Sequence, residues 1–332
     1  MAKYKDTNYL GISARIRAME TQLLTQARME RMLEAKTDDE AAKVLSECGY
    51  NGLEPLTEET LTQSLTQQRN DVFADLYAHS PNPALVDVFR IKYDYHNAKT
   101  ILKAAATGQD ATRLFIDAGR IEARKLQEAV LTGSYSGVPD RLRRAIQEAN
   151  EVLGATQDPQ LADFTLDRAY YAEMLEAAKT AGSSFLEGYV RCVIDAANLR
   201  SAVRTVRMGK SAEFLGNVLV PGGDVSIQTI QTAVFGGGTL EAAFAGSRLE
   251  DAAVLGAAAS RGGRQTAFEK ACDDAVTVYL RSGRLTPFGD SVLVAYLAAK
   301  ETEITAARII LSGRMAGVPA ESIRERLREA YV

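Results

Sequence analysis

Along most of the chain, apolar residues recur every three or four positions with charged and polar side chains between them, the spacing of amphipathic helices. In "ISARIRAMETQLLTQARMERML", residues 12–33, Ile16, Met19, Leu23, Ala27 and Met32 fall near one stripe, which predicts an amphipathic helix across the stretch. "TDDEAAKVLSECGY", residues 37–50, opens with Thr37 and Glu40 in a capping-box arrangement, and Gly49 suits its C-terminal end. The final stretch, "PAESIRERLREAYV", has a proline and an acidic first turn, which predicts another charged amphipathic helix. Period-two alternation of β-branched residues is rare, and there are only 8 prolines to interrupt helices. The expected fold class is all-α.

The pattern repeats. "YVRCVIDAANLRSAVRTVRMG", residues 189–209, places Arg191, Asp195 and Asn198 on one helical face. "FRIKYDYHNAKTILKAAATG", residues 89–108, places Arg90, Asp94 and Asn97 in the same register, and Gly108 stands as far from Asp94 as Gly209 does from Asp195. Downstream, "GRIEARKLQEAVLTG" from Gly119 aligns with "GDVSIQTIQTAVFGG" from Gly223 without a gap through Val130 and Val234. A helical segment precedes each motif: "QQRNDVFADLYAH" before the first and "LDRAYYAEMLEAAK" before the second. A third, diverged copy follows, with "FEKACDDAVTVYLRSG" ahead of "SVLVAYLAAKETEITAARIILSG". There Glu303 takes the place of Asp195, Ala306 that of Asn198 and Arg308 that of Arg200. The expectation is three similar helical units, with approximate boundaries 1–118, 119–222 and 223–332. A period near 100 exceeds the ~20–50 residues of ordinary solenoid repeats. Each unit is therefore expected to hold a small core of its own, and three around an axis would leave a central hollow.

Composition narrows the function. A chain of 332 residues with 46% hydrophobic and 25% charged residues folds rather than staying disordered. Its net charge of -4 argues against a dedicated nucleic-acid binder, which needs a basic stripe. No run approaches the ~20 apolar residues of a membrane span; "AAVLGAAA" and "VLVAYLAA" are too short. Cys48, Cys192 and Cys272 are scattered and odd in number, and "MAKYKDTNYLG" has no apolar signal region, so reduced core cysteines in a cytoplasmic protein are expected. With no CxxC and only His79 and His96, a metal site is not expected.

Catalytic chemistry is equally thin. Asp94 or Asp195 would serve as a general base only beside a nucleophile or histidine repeated in both copies, and His96 has Ala197 as its counterpart. "MGKS", residues 208–211, lacks the earlier glycine and preceding strand of a phosphate loop. "FGGGT" and "SRGGRQ" lack dinucleotide spacing and read as turns. No cofactor is expected. The Arg-x-x-x-Asp-x-x-Asn row reads instead as a hydrogen-bonding ladder, with Arg90 and Arg191 suited to carboxylates and the asparagines to a neighbouring helix or loop carbonyl. Two other classes remain: a helical-repeat scaffold that binds peptides or proteins, against which the absence of a 34-residue period counts, and a soluble helical enzyme with a site at Asp94 or Asp195.

"RIKYDYHNAKTILKAAATG", "VIDAANLRSAVRTVRMG" and "VLVAYLAAKETEITAARIILSGRMAGVPAESIRERLREAYV", preceded by "YLGISARIRAMETQLL" and "TDDEAAKVLSECGY", together resemble the C subunit of rotary V-type (archaeal or bacterial A/V) ATPases, called d in eukaryotic V-ATPases. The resemblance covers essentially the whole chain in order. The third copy departs from the family's D-x-x-N-x-R pattern at Ala306. The resemblance implies three helical bundles forming a pseudo-threefold funnel, and a non-catalytic rotor part without a cofactor. It also implies that the narrow face rests on the cytoplasmic rim of the membrane proteolipid ring, while the open side receives the central shaft built from the D and F subunits. In such complexes ATP chemistry belongs to the A and B subunits, and proton or sodium transfer to the ring and the a (I) subunit. The protein would then be peripheral to the membrane, on its cytoplasmic face.

Overall fold

The computed structural model describes residues 4–332. Among them every regular element is helical and no strand occurs. In chain order the α-helices are α1 (Leu10–Glu20), α2 (Gln26–Glu34), α3 (Asp38–Ser46), α4 (Glu58–His79), α5 (Ala84–Thr107), α6 (Ala123–Thr132), α7 (Asp140–Thr156) and α8 (Pro159–Ala181). They continue with α9 (Ser184–Arg207), α10 (Ala212–Val218), α11 (Ile227–Phe235), α12 (Leu240–Ala243), α13 (Glu250–Ser260), α14 (Gln265–Arg281), α15 (Asp290–Met315) and α16 (Ala320–Arg324). No helix of the described residues is long and apolar enough to cross a membrane.

The chain divides into two compact units, one combining residues up to Val86 with Thr239–Val332 and the other spanning Asp87–Gly238. In the first, α15 packs against α1, α2, α3 and α4, so residues from the two ends of the sequence share one core. Met32, Leu45, Leu61 and Leu65 from the N-terminal side meet Ile304, Ala307, Ile310 and Leu311 of α15. Shedding water from these side chains drives the association, at roughly 1.5–3 kcal/mol for each large one fully buried. In the second unit, Ile91, Tyr95 and Ala98 of α5 form a core with Leu126, Leu142, Ile146 and Leu166. Here α7 and α8 form a tightly packed helical hairpin, and α9 packs on α8.

Two helices differ from the sequence expectation. The stretch 12–33 is broken, with α1 ending at Glu20 and α2 beginning at Gln26. Thr25 caps α2 by accepting the Arg28 amide at 3.2 Å, and the Arg28 guanidinium holds the Leu23 carbonyl at 2.6 Å. Leu23 and Leu24 stay buried within the break and the stripe resumes at Met29 and Met32, whereas Ala27, expected on the stripe, is exposed because the break turns the first residues of α2 outward. At the C-terminus, helix persists only over Ala320–Arg324. Beyond it, the Arg328 side chain bonds Asp273 at 2.5 Å, and α14 takes over backbone groups: Asp274 accepts the Glu329 amide at 3.0 Å and Arg281 donates to the Ala330 carbonyl at 2.6 Å. At the start of α3, Thr37 caps as expected, while the Glu40 carboxylate takes the amide of Lys36 at 2.9 Å.

Candidate functional site

The repeated row occupies two long helices of the second unit, α5 and α9, and shares one geometry in both. Asn97 makes a paired amide contact with Ile116: its Nδ2 donates to the Ile116 carbonyl at 2.9 Å, and its Oδ1 accepts the Ile116 amide at 3.0 Å. Asn198 does the same with Val220, at 2.8 Å in both directions. One turn earlier, Asp94 accepts the amides of Arg120 and Ile121 at 2.9 and 3.2 Å, and Asp195 accepts those of Asp224 and Val225 at 2.9 and 3.1 Å. Each carboxylate thereby satisfies backbone donors just ahead of the next short helix, α6 or α11. The row is a staple that fastens an incoming loop to a long helix. All four side chains are buried.

The arginines do not follow the simplest reading of their spacing. Arg90 donates to the Gly119 carbonyl at 2.5 Å and lies 3.4 Å from Asp87, instead of pairing with Asp94 one turn further on. Arg191 meets Glu187 at 2.7 Å and the Gly222 carbonyl at 3.3 Å. The cation on Asp94 is Arg120, delivered by the stapled loop itself: its Nε is 2.6 Å from Asp94, and its Nη1 is 2.7 Å from Glu173. Tyr95 donates to the other oxygen of Glu173 at 2.8 Å, closing a buried network. Burial raises the Asp94 pKa from its ordinary value, opposed by Arg120 and the two backbone donors. Beside that network, burial and the adjacent Glu173 push the Tyr95 hydroxyl far above the usual phenol range.

Two glycines complete the staple, and their role was visible in the sequence only as an aligned pair. A Cβ at Gly119 would stand 2.3 Å from Asp94 Oδ1, and one at Gly223 would stand 2.0 Å from Asp195 Oδ1. The backbone must come that close for its amides to reach the carboxylate. The signal was the ungapped match that set glycine against glycine; nothing in sequence pointed to Arg120, Glu173 or Tyr95.

In the first unit, Glu303 of α15 is equally buried and also binds a backbone donor, the Leu24 amide, at 2.6 Å. It further accepts the Tyr50 hydroxyl at 2.6 Å and the Lys300 ammonium at 2.7 Å. The fastened segment is the break between α1 and α2, so here too a long-helix carboxylate meets the loop preceding a short helix. Ala306 offers no amide pair. Arg308 lies apart from this cluster, half-buried, with Nη1 3.1 Å from the Thr62 hydroxyl; burial and nearby Arg69 lower its pKa. Among the described residues no group of histidine, cysteine and carboxylate side chains is placed to hold a metal ion. Asp94 and Glu303 each accept three N–H or O–H donors from the protein itself.

The sequence is similar to those of known proteins. The sequence profile of the ATP synthase (C/AC39) subunit family matches residues 12–326. The C subunit of the V-type sodium ATPase of Enterococcus hirae is 24% identical, over 97% of this chain and 99% of that protein. The C subunit of the A-type ATP synthase of Methanocaldococcus jannaschii is 25% identical over 96% of this chain and 86% of its own length, and that of Pyrococcus abyssi is 24% identical over 98% and 92%. Members of this family are non-catalytic structural subunits of V- and A-type ATPases. With the profile spanning nearly the whole chain, this protein belongs to the ATP synthase (C/AC39) subunit family.

Proposed function

We propose that the protein is a rotor component that links the central shaft, built from the D and F subunits, to the membrane proteolipid ring, at the cytoplasmic face, and carries torque between them during ATP-coupled proton or sodium transport. The observation that carries this reading is the family match across residues 12–326. The staples support it mechanically. A torque coupling must resist shear, and loops locked to long helices by buried, charge-assisted hydrogen bonds yield little. The proposal includes three units near 1–118, 119–222 and 223–332 arranged as a pseudo-threefold funnel. It also assigns Arg90, Asp94, Asn97, Arg191, Asp195, Asn198, Glu303 and Arg308 to holding those units in shape.

The test is isolation of the tagged protein from its native membrane under mild detergent. Co-isolation of the D and F subunits and the ring is the expected result; recovery of the protein free of both shaft and ring would overturn the assignment. Raising the salt concentration during the wash reports how far charged contacts contribute to shaft binding.

A further inference from the structure

The third staple differs from the other two in how the chain reaches it. Asp94 and Asp195 hold loops 26 and 29 residues downstream. Glu303 holds Leu24, which is 279 residues away in sequence. A short tether keeps a loop near its helix when the hydrogen bonds break, and that advantage shrinks as the tether lengthens. The third staple also lacks the asparagine pair, because Ala306 stands in that place. It has less to hold it shut, yet Glu303 is buried as Asp94 and Asp195 are.

What covers it is the C-terminal segment. Leu24, Glu303 and Ala306 on one side, and Ala330 and Tyr331 on the other, line a single small cavity. The segment is tied down mainly from α14: Arg281 meets Glu329 at 2.7 Å and the Ala330 carbonyl at 2.6 Å, in addition to the Asp273 and Asp274 contacts described above. Tyr331 reaches Glu20, at the end of α1, at 3.4 Å. Leu327 and Ala330 sink into the core shared by α2 and α15. The ion pairs are partly exposed, a class that contributes little individually, and Arg284 adds a 3.1 Å hydrogen bond to the Tyr331 carbonyl, so the segment is held by several weak ties and an apolar anchor of Leu327, Ala330 and Tyr331.

We propose that residues 326–332 form a releasable strap that locks the third staple, so that lifting the strap opens the seam between the α1–α2 break and α15 while the rest of the fold stays closed. The inference rests on contacts within the first unit and stands apart from the assignment to a rotor. It gives the protein a local opening where the two ends of its sequence meet.

The experiment is amide hydrogen exchange on the full chain and on a variant lacking 326–332, following segments 21–25, 116–125 and 220–228. The expected result is exchange in 21–25 faster by about tenfold or more, with the other two segments unchanged. Unchanged protection at 21–25 overturns the proposal, as does equal acceleration of all three segments, which would mark global destabilisation. If the shortened chain fails to fold, the full-length double variant Arg281→Gln, Asp273→Asn is read by the same criteria, with exchange in 326–332 as proof of release. A strap that exchanges freely over a protected Leu24 overturns it equally.

Discussion

Replacing Gly119 by alanine probes the staple with a single carbon atom. The new Cβ would lie 2.3 Å from Asp94 Oδ1 and 3.3 Å from its Cγ, against backbone at 3.3 Å on the same side. Ordinary carbon–oxygen contact needs about 1 Å more, and Asp94 is buried with no room to swing away. Relief requires loop and carboxylate to part, stretching the amide bonds from Arg120 and Ile121. Hydrogen bonds to a charged group contribute about 1.5–3 kcal/mol each. Stranding a buried carboxylate costs about 3–5 kcal/mol. Allowing partial retention of Arg120, we expect Gly119→Ala to cost about 3–4 kcal/mol. Gly108 is the control: it adopts φ +67 with nothing within 4 Å, so alanine there meets only the left-handed backbone penalty of about 1–2 kcal/mol. Urea unfolding followed by helical circular dichroism measures both. The sharper reading is a double-mutant cycle with Asp94→Ala, which removes the obstacle; Gly119→Ala should then cost under about 1 kcal/mol further. A loss below about 1 kcal/mol in the parent, or equal losses in both backgrounds, refutes the staple argument.

Other substitutions separate the parts of the site. Asn97→Ala and Asn198→Ala each strand a loop amide and carbonyl, and each should lower unfolding free energy by about 2–3 kcal/mol, with faster amide exchange confined to Ile116 or Val220 respectively. Glu303→Ala leaves Lys300 buried without its partner and should cost about 3–5 kcal/mol in the same urea assay, whereas Glu303→Ala with Lys300→Met should recover part of that loss. Arg324 holds the Glu30 carboxyl below its ordinary pKa. This depressed value contributes stability above about pH 4.3 that is lost as pH falls through the folded-state pKa. Unfolding free energies of the parent and Glu30→Gln, from urea titrations, should therefore differ by about 1 kcal/mol or less at neutral pH and converge as pH falls through the lowered folded-state pKa.

The helical class was legible because burial against a single partner layer imposes its own period, which survives in the positions of Ile16, Met19, Leu23 and Met32 even across a break. The repeat was legible too. Asp94 and Asp195, Asn97 and Asn198, and Gly119 and Gly223 stand in equivalent places because the same local geometry needs a short acceptor, an amide and the absence of a side chain. The ends of helices were less legible. Thr25 is a good N-cap, yet a helix can also run through threonine at small cost, and what decides is the Leu24 amide bonding to Glu303. Likewise the segment after Arg324 has helix-forming composition, but a short isolated helix is marginal in water. Asp274 and Arg281 of α14 outcompete it for the Glu329 amide and the Ala330 carbonyl.

Sequence by itself determined what depends on neighbours along the chain: helical periodicity, capping residues, the recurrence of a carboxylate and an amide one turn apart, and the family those features mark. Only the tertiary structure decided what depends on distant partners. It put Arg120, not Arg90, on Asp94, and gave Glu303 to Leu24 and Tyr50. It also joined residues up to Val86 with Thr239–Val332 in one core. Pairings of that kind leave no periodic trace, because a buried charge accepts whichever donor the packing delivers and its identity is set by tertiary geometry, not by a fixed spacing along the chain.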